Sequence, residues 1–413
     1  MKKFFFRLNE SIWFTPVMFS LFSAVLAIAT VMLDTLYIGE LVDQLPYFLL
    51  TSVDLAQTIL GTIAGALLTM TTITFSTIMV VLTTYSSQFS PRVLKNFITD
   101  KVTMRVLGIF MGGFVYSILS LLFMREASID HNVISAVVGV LFAVVCLAFF
   151  AYFIHNVATS IQVSNLVADL AADVHAVFKK NDGLYKKYDY VRLAEAPAKR
   201  TPESHQMVSN HVGYIQLIEI EALVTFAASH DMVIEVIHPI GSFVTKEDVV
   251  LICYQEGEAT LELDDYIIIG PEPSSEQDVS YALQKLVEIA LRAISPGIND
   301  PNTAILCIRH FSGLLPLALA ESAEFLQFSS EKGKVIVPHI NARELLHHTF
   351  SGIAHYGRED VNVLMASLEA LGKIKDTVLR EEMVQYMLAH FNEECLEPFD
   401  QERVTSITAK VLR

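Results

Sequence analysis

Four stretches of the chain carry apolar side chains with almost no charge: Trp13 to Leu33, Leu55 to Leu82, Met104 to Met124 and Val133 to Ile154. At a rise of about 1.5 Å per residue, each is long enough to cross a hydrocarbon core of roughly 30 Å. The pattern predicts four transmembrane helices, spanning about 13–33, 55–82, 104–124 and 133–154, in a membrane domain of residues 1–154. The first run follows Lys2, Lys3 and Arg7 and contains Ala27-Ile28-Ala29, as a cleaved leader would. Its apolar residues continue through Val31, Met32 and Leu33, beyond a leader's short core, so a retained anchor is expected.

Helical periodicity persists past the fourth run. Ile154, Val157, Ile161, Leu166, Leu170, Val174 and Val177 keep one face apolar with no Pro or Gly between them, which predicts a continuous helical extension over 155–180. Residues 181–206 are polar, contain Pro197 and Pro202, and read as a linker. A β-rich module is expected over 207–272, with strands in YIQLIEI, MVIEVIHPIG and DVVLICY and a short helix in EALVTFAASH. Residues 273–413 read as mainly helical, apart from the strand-like KVIVPHI. The fold class is therefore an α-helical membrane domain with a cytosolic α/β tail. The turn IHPIGSFV before VVLICY resembles a barrel-sandwich of the biotinyl/lipoyl carrier type. No lysine stands at a hairpin tip between two methionines, so no carrier role and no cofactor are expected.

Composition sharpens this division. Mean hydropathy is +0.46 and 53% of residues are hydrophobic, a membrane composition. Of 29 basic and 45 acidic residues, eight of each fall in 1–154, so the tail carries the whole charge of −16. Such a tail repels phosphate backbones, and nucleic acid is not an expected partner. Basic residues sit before the first run (Lys2, Lys3, Arg7) and after the second (Arg92, Lys95, Lys101), whereas the loop from Asp34 to Asp54 has none. By the positive-inside rule both termini of this multi-pass chain are expected to be cytoplasmic. Cys146, Cys253, Cys307 and Cys395 form no CxxC pair, and no disulfide framework or zinc knuckle is indicated.

The second run holds the candidate chemistry. TMTTITFSTIMVVLTT contains seven threonines and a serine, which lipid cannot satisfy. On a helix, Thr58, Thr62, Gly65, Thr69, Thr72, Ser76 and Thr83 recur at steps of four and three, broken only at Met79, and form one stripe. One reading is close helix packing, with each hydroxyl bonded one turn back. The other is a pore lining around the axis of a homo-oligomer. Thr71, Thr74 and Thr77 lie off the stripe, which favours back-bonded hydroxyls for some of them. Glu40, Asp43 and Asp54 would attract cations at the outer mouth, and Arg92, Lys95 and Lys101 would oppose them at the inner one. Ser90 and Pro91 read as the start of a short interfacial helix or a connector, and Gly108, Gly112 and Gly113 suit close helix contact.

SSQFSPRVL after the threonine helix, ALRAISPGINDPNTA in the tail, GYIQ at 213–216 and IQVSN at 161–165 resemble an uncharacterised bacterial family of predicted inner-membrane proteins. The resemblance implies four membrane helices and a cytosolic domain, and it supplies no catalytic residues. Read physically, ISPGINDPNTA is a corner in which Pro296 and Gly297 end one helix and Asp300-Pro301 begins another. The alternative is a ligand site using Arg292, Asn299 and Asp300. Glu344, His348 and His355 fall on one helical face and, helped by His347, could hold a metal, yet surface or core histidines are the plainer reading and no metal site is assigned. His155 is read as an interface residue. Without a nucleophile elbow, P-loop, GxGxxG or HExxH, an enzyme is not expected. The expected function is an oligomeric channel-like or transporter-like protein controlled by its tail, with the bilayer, further copies and a small ion or cytosolic ligand as partners. The alternative is a membrane-anchored sensor or scaffold without a conducting path.

Overall fold

The computed structural model describes residues 13–36, 46, 50–88, 101–124, 132–160, 162–195, 204–254, 262–392, 394 and 396–413. The chain divides into two compact units, Met1–Gln162 and Val163–Arg413. Glu40, Asp43 and the segment beginning at Ser90 and Pro91, including Arg92 and Lys95, lie outside the described residues.

In the first unit, the apolar runs form α1 (Phe14–Leu36), α2 (Val53–Gln88), α3 (Lys101–Phe123) and α4 (Ser135–Ser160). α3 packs most extensively on α1 and also touches α2 and α4. Glycines set these approaches. A Cβ on Gly112 would lie 2.6 Å from Ser23 Oγ and 3.2 Å from the Phe19 carbonyl oxygen, and one on Gly108 would lie 3.0 Å from the Phe19 ring. Gly113 faces the other way, with Leu67 and Cys146 at 2.9 and 3.3 Å from its would-be Cβ. The ends are tied by polar bonds. Asp34, in the last turn of α1, accepts N–H bonds from Ile134 (2.8 Å) and Ser135 (3.1 Å) and so caps α4 from a neighbouring helix. Thr51 and Val133 exchange backbone bonds, and the Tyr116 hydroxyl donates to the Ser135 carbonyl at 2.9 Å. Outward faces stay apolar: Phe22 and Val25 on α1, Phe75 and Val80 on α2, and Leu141 and Val144 on α4 are exposed.

One expectation is corrected at the end of this unit. The helix predicted to run unbroken through 155–180 is two, α4 ending at Ser160 and α5 (Val163–Tyr185) beginning beyond it. The Thr159 hydroxyl donates to the carbonyls of His155 and Asn156, and Gln162 N–H closes a three-residue step onto the Thr159 carbonyl. At Gln162 the four-residue helical ladder thus gives way to this tighter step.

The second unit contains β1 (Asp189–Leu193), β2 (Ser204–Val208), β3 (Gly213–Ile218), α6 (Ile220–His230), β4 (Val233–Val236), β5 (Phe243–Val244), β6 (Val249–Tyr254) and β7 (Ile267–Gly270). There follow α7 (Val279–Ala293), α8 (Pro301–Ala320), β8 (Phe325–Ser329), β9 (Lys334–Pro338), α9 (Ala342–Tyr356), α10 (Val361–Leu371), α11 (Thr377–His390) and α12 (Pro398–Val411). Six strands form a sheet in the order β1-β8-β9-β4-β6-β2, and three form a second, β5-β3-β7. Only β4 and β9 pair in parallel among these strands. Both sheets and α6 share one core, with Ile215, Leu223, Ile234, Leu251, Phe328 and Val335 fully buried. The β-rich module is therefore not confined to 207–272, since β8 and β9 complete its sheet. Likewise, the expected linker 181–206 contains the end of α5, all of β1 and the first residues of β2. Both departures come from pairing with β8, β9 and β6, partners distant in sequence.

Helices α5 and α7 to α10 pack together beside these sheets. Five of the helices are capped by acceptor side chains at Asp278, Asp300, Asn341, Asp360 and Asp376. Among the described residues, five helices are long and apolar enough to cross a membrane: α1 to α4 and α8. α8 buries Cys307, Ile308, Phe311, Leu314 and Leu315 within the second unit.

The glycine contacts give a direct test. Gly112→Ala forces a methyl against Ser23 and the α1 backbone, and should cost about 1–3 kcal/mol. Gly61→Ala, whose Cβ would meet nothing within 4 Å, should be neutral or slightly stabilising. Thermal unfolding of the two variants in detergent, compared with the native chain, checks both.

Candidate functional site

The threonine stripe lies on the outside of the helical unit. Thr58, Thr62, Gly65, Thr69, Thr72, Ser76 and Thr83 are all exposed, whereas Ala56, Leu60, Ala64, Leu67 and Val81 of the same helix are buried. Packing among α1 to α4 therefore uses a different face of α2. Five stripe hydroxyls bond one turn back: Thr58 to Asp54, Thr62 to Thr58, Thr69 to Gly65, Thr72 to Leu68 and Thr83 to Met79, at 2.8–3.0 Å. These bonds satisfy the hydroxyl proton and leave the oxygen lone pairs outward. Asp54 is exposed at the start of the stripe. Between α2 and α4, Thr58, Ile59, Thr62, Ile63, Val140 and Val144 line an apolar groove of about 420 Å³.

Off the stripe, Thr71 bonds to the Leu67 carbonyl at 2.8 Å, as expected for a back-bonded hydroxyl. Thr74 is fully buried, and its hydroxyl has no partner among the described residues.

The corner between α7 and α8 is exposed at Arg292, Pro296, Gly297, Ile298 and Asn299. Asn299 takes a left-handed backbone with φ 52°, and Asp300 N–H returns to the Ala293 carbonyl at 2.8 Å. Asp300 uses both carboxylate oxygens on Thr303, one on its N–H at 3.2 Å and one on its hydroxyl at 2.6 Å. The cap expected for α8 is present, and Asp300 is thus committed to helix initiation. Glu344, His347, His348 and His355 are all exposed on α9, with the His347 ring 5.5 Å from that of Tyr386. Among the described residues no three His, Cys, Asp or Glu side chains converge as a metal site. His155 is exposed near the end of α4.

Two titratable groups of the tail are set by burial. Asp278 caps α7 by accepting the Tyr281 N–H at 2.9 Å, and its carboxylate fills the space where a side chain on Gly241 (φ 84°) would stand. Burial pushes its carboxyl up to about 7, against backbone hydrogen bonds from Tyr281 and Ser280 that lower it. His339 stacks edge-on to Tyr185 with ring centres 5.9 Å apart, and its Nε2 has no partner among the described residues. Burial pulls its imidazole down to about 4, opposed by a hydrogen bond with the Glu321 backbone and aided by the Arg192 charge.

Sequence patterns alone do not single out Asp278 or Lys285. Asp34 had a signal, an acidic residue in the last turn of an apolar run. Lys285 is 5% exposed, donates to Ser275 Oγ at 3.2 Å and lies 5.4 Å from the Tyr281 ring centre. Its burial follows from α7 packing against α5 and the loop before it.

A bundle of long apolar helices joined to a β-containing tail is the make-up of a membrane protein. The chain belongs to the DUF2254 family of predicted membrane proteins, whose model matches residues 9–373. It is 29% identical over 350 residues to an uncharacterized protein of Mycobacterium tuberculosis (strain CDC 1551 / Oshkosh), and 28% identical over 350 residues to one of Mycobacterium bovis. Each match covers 81% of this chain and 66% of the relative, so the chain spans less than two thirds of the length of these curated relatives. No solved structure matches the chain.

The buried pair yields opposite pH dependences. Asp278 has a folded value raised above 3.8, so its contribution is full below that pH and is lost as pH rises through about 7. His339 has a folded value below 6.5, so its contribution is full above 6.5 and is lost as pH falls towards 4. Each slope approaches about 1.4 kcal/mol per pH unit where it acts alone. Native stability should therefore vary little between about pH 4 and 6.5 from this pair. Asp278→Asn, which keeps an acceptor at the cap, should make stability rise with pH there, and His339→Phe should make it fall. Unfolding midpoints across pH for the three chains test this, and parallel profiles would contradict it.

Proposed function

We propose that the protein is a homo-oligomer of the bacterial inner membrane in which α1 to α4 cross the bilayer. In this reading both termini are cytoplasmic, and the exposed threonine face of α2 lines a channel-like or transporter-like path for small ions. The observation that carries it is the outward placement of all seven stripe residues, from Thr58 to Thr83, while the four helices pack through other faces. Lipid offers no donor to the outward lone pairs, whereas water or an adjoining subunit does. α8 is a core helix of the tail, supported by its Asp300 cap and its buried face. The acidic tail acts as the regulatory part, taking a cytosolic ligand or partner, and no catalytic step is assigned.

The back-bonds along the stripe favour a second reading. Hydroxyl protons already used on their own helix let the face rest dry against a neighbour, as in a membrane-anchored sensor or scaffold with no path. Ion flux through purified protein in liposomes separates the two. Thr72→Leu and Ser76→Leu should abolish most of the flux if the face is wet. Cysteines placed at Thr69, Thr72 and Ser76 should then react with water-soluble reagents in intact membranes. Absent flux together with three unreactive cysteines would leave the scaffold reading.

A further inference from the structure

The groove between α2 and α4 lies at a defined depth in the helical unit. Thr51 and Val133 exchange backbone bonds of 3.1 and 2.8 Å just before the two helices begin. From that tie the helices run side by side in the same direction. The would-be Cβ of Gly139 on α4 falls 2.5 Å from Leu60 on α2, and seven residues further along each helix Leu67 and Cys146 flank Gly113. Along α2 the groove reaches from Thr58 to Ile63, about 6–14 Å beyond Asp54 at 1.5 Å per residue. Along α4 it reaches from Val140 to Leu147, about 8–18 Å beyond Ser135. One leaflet of a hydrocarbon core is about 15 Å deep, so with Asp54 level with the interface the groove occupies a single leaflet and ends near the midplane.

Its walls suit a hydrocarbon guest. Apart from Thr58 and Thr62 the lining is Ile, Val, Ala and Leu, and both threonine protons are spent on carbonyls of their own helix, at 2.9 and 2.8 Å. No lining side chain is left to donate a hydrogen bond, which disfavours a polar solute. Apolar packing does not by itself select one guest over another, because lipid tails are as apolar as the groove. Selectivity must come from the rim. Asp54 stands one turn before Thr58 on the same face of α2 and is exposed. It is the one Asp, Glu, Lys or Arg of α2, and α4 has none. A carboxylate at that level attracts a cationic headgroup and repels an anionic one.

We propose that this groove holds one acyl chain of a phospholipid whose primary-amine headgroup is drawn to Asp54, a selective lipid site on each protomer. The proposal rests on α1 to α4 crossing the bilayer, and not on the threonine stripe lining a path. Charge favours the lipid over a second copy of the chain. The outward helices α1, α2 and α4 of another copy carry no Lys or Arg to set against Asp54, whereas an ethanolamine headgroup supplies an ammonium with three donors. The depth agrees as well, since a chain hung from a headgroup at Asp54 enters the groove at Thr58 and ends within the same leaflet.

The full-length protein in nanodiscs of equal phosphatidylethanolamine and phosphatidylglycerol provides the test. Native mass spectrometry counts the lipid that stays bound after detergent extraction. Phosphatidylethanolamine should exceed phosphatidylglycerol about two- to fivefold, the preference that an exposed ion pair supports. Asp54→Asn, at an exposed position, should bring the ratio close to unity while lipid is still retained. Val144→Phe, also at an exposed position, fills the groove and should lower retention of both lipids. A ratio indifferent to Asp54→Asn, or retention indifferent to Val144→Phe, would overturn the site. A photoreactive group at mid-chain of the ethanolamine lipid gives a second readout, and labelling of residues 58–63 and 140–147 is expected. Labelling of Phe22, Val25, Phe75 and Val80 without those segments overturns the site and leaves the bilayer-crossing reading standing. A disulfide between two copies through cysteines placed at Val144 would then identify a second copy as the occupant. No labelling on any of α1 to α4 removes the bilayer-crossing reading and the site together.

Discussion

The four apolar helices come together because α3 has no side chains where α1 crosses it. In lipid, apolar surface gives helices little reason to associate, so close backbone approach and a few polar bonds must supply the attraction. Gly108 and Gly112 let α3 settle against Phe19 and Ser23, and Gly113 admits Leu67 and Cys146 from the opposite side. With that contact made, Asp34 reaches the first turn of α4 and Tyr116 reaches the Ser135 carbonyl. The bundle is thus held by small residues along its length and by a polar clasp at one end. The clasp also converts the exposed backbone of a helix terminus into partners for a carboxylate, which would otherwise be costly away from water.

This arrangement gives α2 two distinct faces. One, with Leu60, Ala64 and Leu67, is committed to the protomer. The other carries the threonines outward, with the protons turned back on the helix and the oxygens available. The back-bonds keep these hydroxyl protons satisfied within α2 itself.

Periodicity made the apolar helices legible, because runs such as Phe14–Leu36 and Ser135–Ser160 have no soluble alternative of that length. The spacing of Thr58 to Thr83 also fixed which hydroxyls share a face. It could not say which face points inward, since that is set by Gly113 and Gly139 of other helices meeting Leu67 and Leu60. In the tail, the β3, β4, β6 and β9 segments were visible from β-branched runs, and Asp300-Pro301 marked a helix start. β1 and β8 were hidden because DYVRL and FLQFS are short and ordinary until paired with each other across more than a hundred residues. The Asp278 and His339 environments were equally invisible, as their burial arises only when the helical layer closes over the sheets.

The parallel pairing of β4 with β9 has a temporal side. Val233 is matched with Lys334, and α7 and α8 are made between them. On a ribosome adding about 5–20 residues per second, the β4 edge waits on the order of 5–20 s for its neighbour. During that interval it is an uncovered template for another nascent chain. Completion of the six-stranded sheet therefore waits on the C-terminal part of the chain, and until β9 emerges the β4 edge lacks the partner that covers it in the folded protein.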